Sequence, residues 1–173
     1  MCKDSESVEF TRIYNTIFPT LIRIAYHMTG SMTISEDICQ EAFIKLYQRN
    51  KSFPDKDQAK YWLIRVVKNL IFNYEKRKTR ERKAYQRVLQ QPRRIEPSGE
   101  TEVLKKEKLS IIQNSLQKLP YKLRSVIILK EYGRMNYREI AKILGISEGN
   151  VKVRVHRARE MLSVLIKEND YVS

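Results

Sequence analysis

Apolar residues return every three or four positions along most of this chain, and the interruptions divide it into helical segments. Phe10, Ile13, Tyr14, Ile17, Leu21, Ile24, Ala25 and Met28 mark the first, from Glu9 to Thr29. Pro19 lacks a backbone donor and predicts a kink or break just before it. Gly30 and Ser31 end the segment. A second helix is expected from Ser35, its cap, to Asn50, with Ile38, Ala42 and Leu46 inward and Cys39 and Phe43 beside them. Phe53–Ala59 reads as a polar loop, and Ala59 opens a third helix to about Tyr85 or beyond. Its expected buried stripe is Leu63, Val66, Val67, Leu70 and Tyr74, and Trp62 reads as core or as part of the neighbouring polar and aromatic face, a lone Trp at this spacing being more often core.

The period fails over Gln91 to Thr101, QPRRIEPSGET, which has the composition of a linker. Helix returns from about Glu102 to Lys118, with Leu109, Ile112 and Leu116 inward. Pro120 suits the first turn of a short helix through Tyr132, whose Leu123, Val126, Ile127 and Lys130 stem face the core before Gly133 closes it. With five glycines, five prolines and few alternating runs, the expected fold class is all-α. Two small helical domains, 1–90 and 105–173, are joined by a flexible linker over 91–104.

Asn136 to Leu165 reads as two helices meeting at a sharp turn. Tyr137, Ile140, Ala141 and Leu144 give the first one apolar face, and Asn136 with Glu139 forms a variant capping box. Gly145 stands where positive φ is cheap only without a Cβ, Ile146 plugs the space between the helices, and Ser147 caps the second. Val151, Val155, Ala158 and Leu162 make the inward stripe of that second helix. Val153, His156 and Arg157 point the opposite way, flanked by Lys152 and Arg154. This is a helix-turn-helix whose basic outer face suits the DNA major groove.

Charge sharpens the picture. Lys and Arg number 34 against 20 Asp and Glu in 173 residues, a net charge of +14 that favours a polyanionic partner. Residues 1–50 carry a net −1 and residues 68–94 a net +8, so two different partners are expected. Asp37, Gln40, Glu41 and Ile44 line one face of the second helix. Such a face reads as an acid–base or metal pair, as a solvated surface, or as a docking face with one apolar anchor. On the third helix, Tyr61, Arg65, Lys68, Asn69, Phe72 and Lys76 mix basic, amide and aromatic groups, a set that holds a nucleic-acid backbone while stacking an unpaired base.

Other chemistry finds little support. Cys2 and Cys39 have no metal-ligand spacing, His27 and His156 are the only histidines, and no cofactor is expected. There is no Gly-rich phosphate loop, HExxH helix or Ser-His-Asp set. No apolar run is long enough to span a membrane and the N-terminus has no signal-peptide core, so a cytoplasmic protein is expected.

In three stretches the sequence resembles the extracytoplasmic-function (ECF) sigma factors of the sigma-70 family. SEDICQEAFIKLYQ is similar to region 2.2, and AKYWLIRVVKNLIFNYEKRK to regions 2.3 and 2.4. LQKLPYKLRSVIILKEYGRMNYREIAKILGISEGNVKVRVHRAREML is similar to region 4. The resemblance implies a promoter-specificity subunit of RNA polymerase, not an enzyme, with no small-molecule substrate. Asp37, Gln40, Glu41, Phe43 and Ile44 would dock on the β′ clamp helices, with the β subunit as a further contact. Phe53 and Asp57 in the loop, with Tyr61 and Asn69, would receive a flipped base of the minus-10 element, while Arg65, Lys68, Lys76, Arg77 and Lys78 hold phosphates. Asn150, Lys152, Val153, Arg154, His156 and Arg157 would form the minus-35 surface. The linker would thread toward the polymerase active-site and RNA-exit path. The resemblance also admits an anti-sigma factor as partner. Val153 stands where the family very often has Ser, and Asn150 where Thr is common; a Val there can contact a thymine methyl. The alternative reading is a stand-alone helix-turn-helix regulator, which has no use for the Asp37 and Asn69 faces.

Overall fold

The computed structural model describes residues 2–49, 52–89 and 105–170. Among these, seven helices run in order: α1 (Cys2–Thr29), α2 (Met32–Tyr47), α3 (Lys56–Leu89), α4 (Lys105–Lys118), α5 (Tyr121–Glu131), α6 (Tyr137–Leu144) and α7 (Glu148–Asp170). The linker expected over 91–104 lies outside the described residues.

α1, α2 and α3 pack pairwise into a first unit. α1 continues through Pro19 instead of breaking there. Pro19 and the carbonyl side of Asn15 face solvent, so water takes over the missing hydrogen bond, while Ile17 and Leu21 are locked in the core on the other side. α1 ends at Gly30, whose φ of 76° is the left-handed conformation that lets the chain reverse. The cap of α2 is therefore Ser31, not Ser35: its Oγ accepts from the Ile34 N–H at 3.4 Å. Ser35 is buried inside the first turn, donating to the Ser31 carbonyl at 2.6 Å and meeting Thr29 Oγ1 at 3.0 Å. α3 likewise starts three residues before Ala59, because Asp55 Oδ1 accepts from Gln58 N–H at 2.8 Å. Its buried face is wider than expected: Ile64 and Ile71 are fully buried along with Leu63 and Val67, while Val66, Leu70 and Tyr74 lie at the margin. A helix wedged against both α1 and α2 needs an apolar arc broader than one stripe.

The second unit is built round α5, buried continuously from Arg124 to Leu129 and packed on α6, α7 and α1. The helix-turn-helix forms as its local signals require. Asn136 Oδ1 accepts from Glu139 N–H at 2.9 Å while Glu139 Oε2 accepts from Asn136 N–H at 2.8 Å. Gly145 takes φ 67° and ψ 40°, and Ser147 Oγ caps α7 through the Asn150 N–H at 3.2 Å.

The two units meet along a polar seam, which corrects the expected inward face of α4. Leu109 is 64% exposed and Ile112 also faces solvent. Gln113 and Gln117 turn inward instead, donating to the last carbonyls of α1: Gln113 Nε2 to Tyr26 O at 3.2 Å and Gln117 Nε2 to His27 O at 3.0 Å. Tyr26 O already accepts from Gly30 N–H at 2.8 Å and gains a second donor in Gln113, whereas His27 O is one of the final carbonyls that a helix C-terminus leaves without an intrahelical partner, and Gln117 supplies it. Because Gln113 Nε2 faces a carbonyl, its Oε1 faces His27 Nδ1 at 2.7 Å, and Nδ1 carries the proton. The His27 ring stacks on Tyr132 at 3.9 Å. Farther along, Arg124 donates to Gln117 Oε1 at 2.9 Å and pairs with Glu75 of α3 at 3.5 Å.

Burial lowers the His27 pKa below its ordinary 6.5; the Gln113 hydrogen bond opposes this and Arg23 adds to it. The unfolded chain therefore binds more protons than the folded one as pH falls past about 6.5, and stability present above that value is lost below it. Urea midpoints of the parent should fall more steeply from neutral to mildly acidic pH than those of His27→Gln. Parallel profiles for the two proteins would remove His27 as the cause.

Candidate nucleic-acid and polymerase surfaces

α7 rests on the protein through Val151, Val155 and Ala158, all essentially buried, which fixes the rotation of the helix. Asn150, Lys152, Val153, His156 and Arg157 consequently stand exposed, and Arg154 is half-buried on the flank. The N-terminal half of α7, the part of such a helix that reaches base edges, thus seats one side on the protein and turns the other to solvent. His156 Nε2 lies 3.4 Å from Glu160 Oε1, and Arg159 pairs with Glu131 of α5 at 2.9 Å. Arg157 has no carboxylate within ion-pair distance among the described residues.

On α3, Arg65, Asn69, Phe72, Lys76 and Arg77 are exposed, and Tyr61 and Lys68 are half-buried. Lys68 Nζ donates to Asn69 Oδ1 at 3.3 Å, so the amide NH₂ points outward as a free donor. Burial, and after it the like charge of Arg65, lowers the Lys68 pKa. Phe72 sits between the Lys68 and Lys76 ammonium groups, 5.9 and 5.8 Å from its ring, and touches Tyr121 of the second unit at 5.8 Å. Asp57 falls in the first turn of α3, exposed, rather than in a loop.

Beside this face Phe53 packs on Trp62 at 5.7 Å, and the Arg49 guanidinium covers both rings at 4.3 and 5.4 Å. Arg49 was not legible as part of the site, since a lone cation at a helix end carries no periodic signal. Trp62 is half-buried, with part of its ring open beside the loop, and is not a full core residue.

On α2, Asp37, Gln40, Glu41 and Ile44 share an exposed face, with Ile44 55% exposed at its centre. Among the described residues Glu41 is tied to Lys45, one turn on, at 3.5 Å. Phe43 does not lie on this face. It is 4% exposed and packs against Tyr14, Phe10 and Phe18 at 4.7, 6.1 and 6.2 Å. One position past Ala42, the helix turns its side chain toward α1, roughly 120° from Asp37. The exposed aromatic at the margin of the face is Tyr47, whose ring meets Phe10 at 5.7 Å.

Among the described residues no three His, Cys, Asp or Glu side chains come together as a metal site, and no helix is long and apolar enough to cross a membrane. Burial pushes the Cys39 thiol up to about 12, so it stays protonated.

The units coincide with two family matches: residues 13–81 match Sigma-70 region 2, and residues 109–162 match Sigma-70, region 4. The chain is 32% identical over 174 residues to the ECF RNA polymerase sigma factor SigW of Bacillus subtilis, covering 96% of this chain and 93% of that one. This chain belongs to the ECF family of RNA polymerase sigma factors. Solved sigma factors share its fold. The sigma factor RpoE from Bartonella quintana, in complex with the anti-sigma factor NepR, superposes with a TM-score of 0.73 at 25% identity, over 92% of this chain and 97% of that one. CnrH, in complex with the cytosolic domain of CnrY, gives 0.64 at 25% identity, over 92% and 88%. As an ECF sigma factor, the chain is a transcription initiation factor that carries a region 4 helix-turn-helix.

Proposed function

We propose that this sigma factor, acting in the cytoplasm without catalysis of its own, joins core RNA polymerase through Asp37, Gln40, Glu41 and Ile44. It reads the minus-35 element with Asn150, Lys152, Val153, Arg154, His156 and Arg157. It receives and holds the melted minus-10 strand with Phe53, Asp57, Tyr61, Arg65, Lys68, Asn69, Lys76 and Arg77. Arg49 and Trp62 complete the aromatic end of that site. The observation that carries the reading is the presence, in one chain, of an exposed basic, aromatic and amide face on α3 and a separate helix-turn-helix whose second helix, α7, has a basic outer face. A stand-alone regulator needs only the second. The anti-sigma proteins bound to RpoE and CnrH support a partner of the same kind here.

Asn69 provides the test of melting. Its NH₂ is a free donor, and losing one hydrogen bond to a base edge costs about 0.5–1.5 kcal/mol. With core polymerase and a linear duplex promoter, Asn69→Ala should lower open-complex yield about three- to tenfold. Closed-duplex binding should barely change, and a pre-melted bubble should restore only part of the loss. Equal yields from variant and parent would take Asn69 out of the site, and no initiation by the parent would refute the sigma-factor mechanism itself.

A further inference from the structure

α3 does not stop where the first unit stops. From Lys76 to Val88 every residue of the helix is exposed, so this length stands clear of both units. The second unit touches α3 through Phe72 and Glu75, before the extension begins. Lys76, Arg80, Lys83 and Arg87 recur at i, i+4, i+7 and i+11, within an arc of about 60° on a helix turning 100° per residue. Arg65, Asn69 and Phe72 lie on the same line, so the face assigned to the minus-10 strand runs on unbroken as a row of cations.

Among the described residues no carboxylate neutralises that row. Arg77 pairs with Glu81 at 3.9 Å, but both lie to one side of it. Among the described residues no carboxylate comes within ion-pair distance of Arg80, Lys83 or Arg87. Like charges one turn apart destabilise a helix, a cost that a polyanion laid along the row removes. Tyr85 and Val88, the exposed apolar residues of the extension, fall on its opposite side and are too few to seat it in a lipid surface.

We propose that Arg80, Lys83 and Arg87 form a phosphate-binding rail for the promoter duplex just upstream of the minus-10 element. The inference rests on the minus-10 role proposed for the Asn69 face. From Lys76 to Arg87 the rail is about 16 Å long, or about five base-pair steps of duplex. Its free end leads into the chain segment that connects to the minus-35-reading unit, which lies on the upstream side. The contacts are to phosphates, so they position the duplex and carry no sequence information.

The test compares the parent with Arg80→Ala/Lys83→Ala/Arg87→Ala, each assembled with core polymerase, on a promoter duplex between about 50 and 200 mM salt. Alanine is the best helix former, so the extension should remain helical, which circular dichroism checks. A Gln set at the same three positions guards against an effect particular to alanine. Three lost phosphate contacts should make the slope of log K against log salt shallower by about 2.7 units. On a template whose linkages just upstream of the minus-10 element are neutral methylphosphonates, parent and variants should coincide. Equal slopes on the native duplex would overturn the rail. So would a slope difference that persists on the neutralised template, or a loss confined to core-polymerase affinity, which would assign the row to an acidic protein surface. Initiation by the parent on the same promoter reports separately on the minus-10 reading.

Discussion

Reversing Asp37 and Glu41 to lysine is expected to weaken association with core polymerase about a hundredfold while leaving the protein folded. Both carboxylates are exposed, and the one ion pair lost, Glu41 to Lys45, is a surface pair worth at most about 1 kcal/mol. The side of α2 that holds the fold is the other one, Ile38, Cys39, Ala42, Phe43 and Leu46. At a charge-matched interface, however, like charges brought together cost several kcal/mol, and about 2.7 kcal/mol is a factor of a hundred. Ile44, the apolar centre of the face, should contribute as an anchor in the same assay. Phe43→Ala supplies the contrast: a buried aromatic truncated to Ala costs about 3–5 kcal/mol of stability, with any loss of polymerase binding following from unfolding. Co-purification of Asp37→Lys/Glu41→Lys with core polymerase at undiminished yield would overturn the docking face.

Arg157→Ala should change which minus-35 sequences are preferred, by about 1–3 kcal/mol at one base pair, or roughly five- to 150-fold. Arg157 is exposed on the outward side of α7 and engaged by no carboxylate among the described residues, so its fork is available to a base edge. Lys152→Ala should behave differently. A flanking ammonium serves best as a phosphate contact, and its removal should weaken binding to all sequences alike, with the salt slope falling by about one unit. Binding of both variants to a panel of single-base minus-35 substitutions separates the two roles. Equal shifts in preference for Arg157→Ala and Lys152→Ala would refute the division.

Where the sequence succeeded, the interactions were short-range. The helix-turn-helix depends on Asn136 and Glu139 three residues apart, on Gly145 adopting positive φ, and on Ser147 beside the turn it caps, so each signal could be read in place. The rotation of α7, and hence its exposed Lys152, Val153, His156 and Arg157, followed from a single strict stripe of Val151, Val155 and Ala158. Two short-range signals were misread: at α2 two serines four residues apart could each cap, and the positive φ at Gly30 chose Ser31 over Ser35, while at α3 the Asp55 cap on Gln58 N–H was passed over.

What tertiary structure decided was which side of a helix a neighbour would occupy. Periodicity shows that a helix is amphipathic but does not count its partners. α3, held between two helices, buried Ile64 and Ile71 with Leu63 and Val67 and left Val66, Leu70 and Tyr74 at the margin, and Phe43 turned away from the docking face because α1 offered it an aromatic pocket. The seam was least legible of all. Gln113 meets His27 at a sequence separation of 86 positions, and Gln117 meets the same residue's carbonyl at a separation of 90. An apolar count turned Leu109 and Ile112 inward, whereas the polar carbonyl end of α1 selected two glutamines. That preference belongs to the end of another helix, and no pattern within α4 records it.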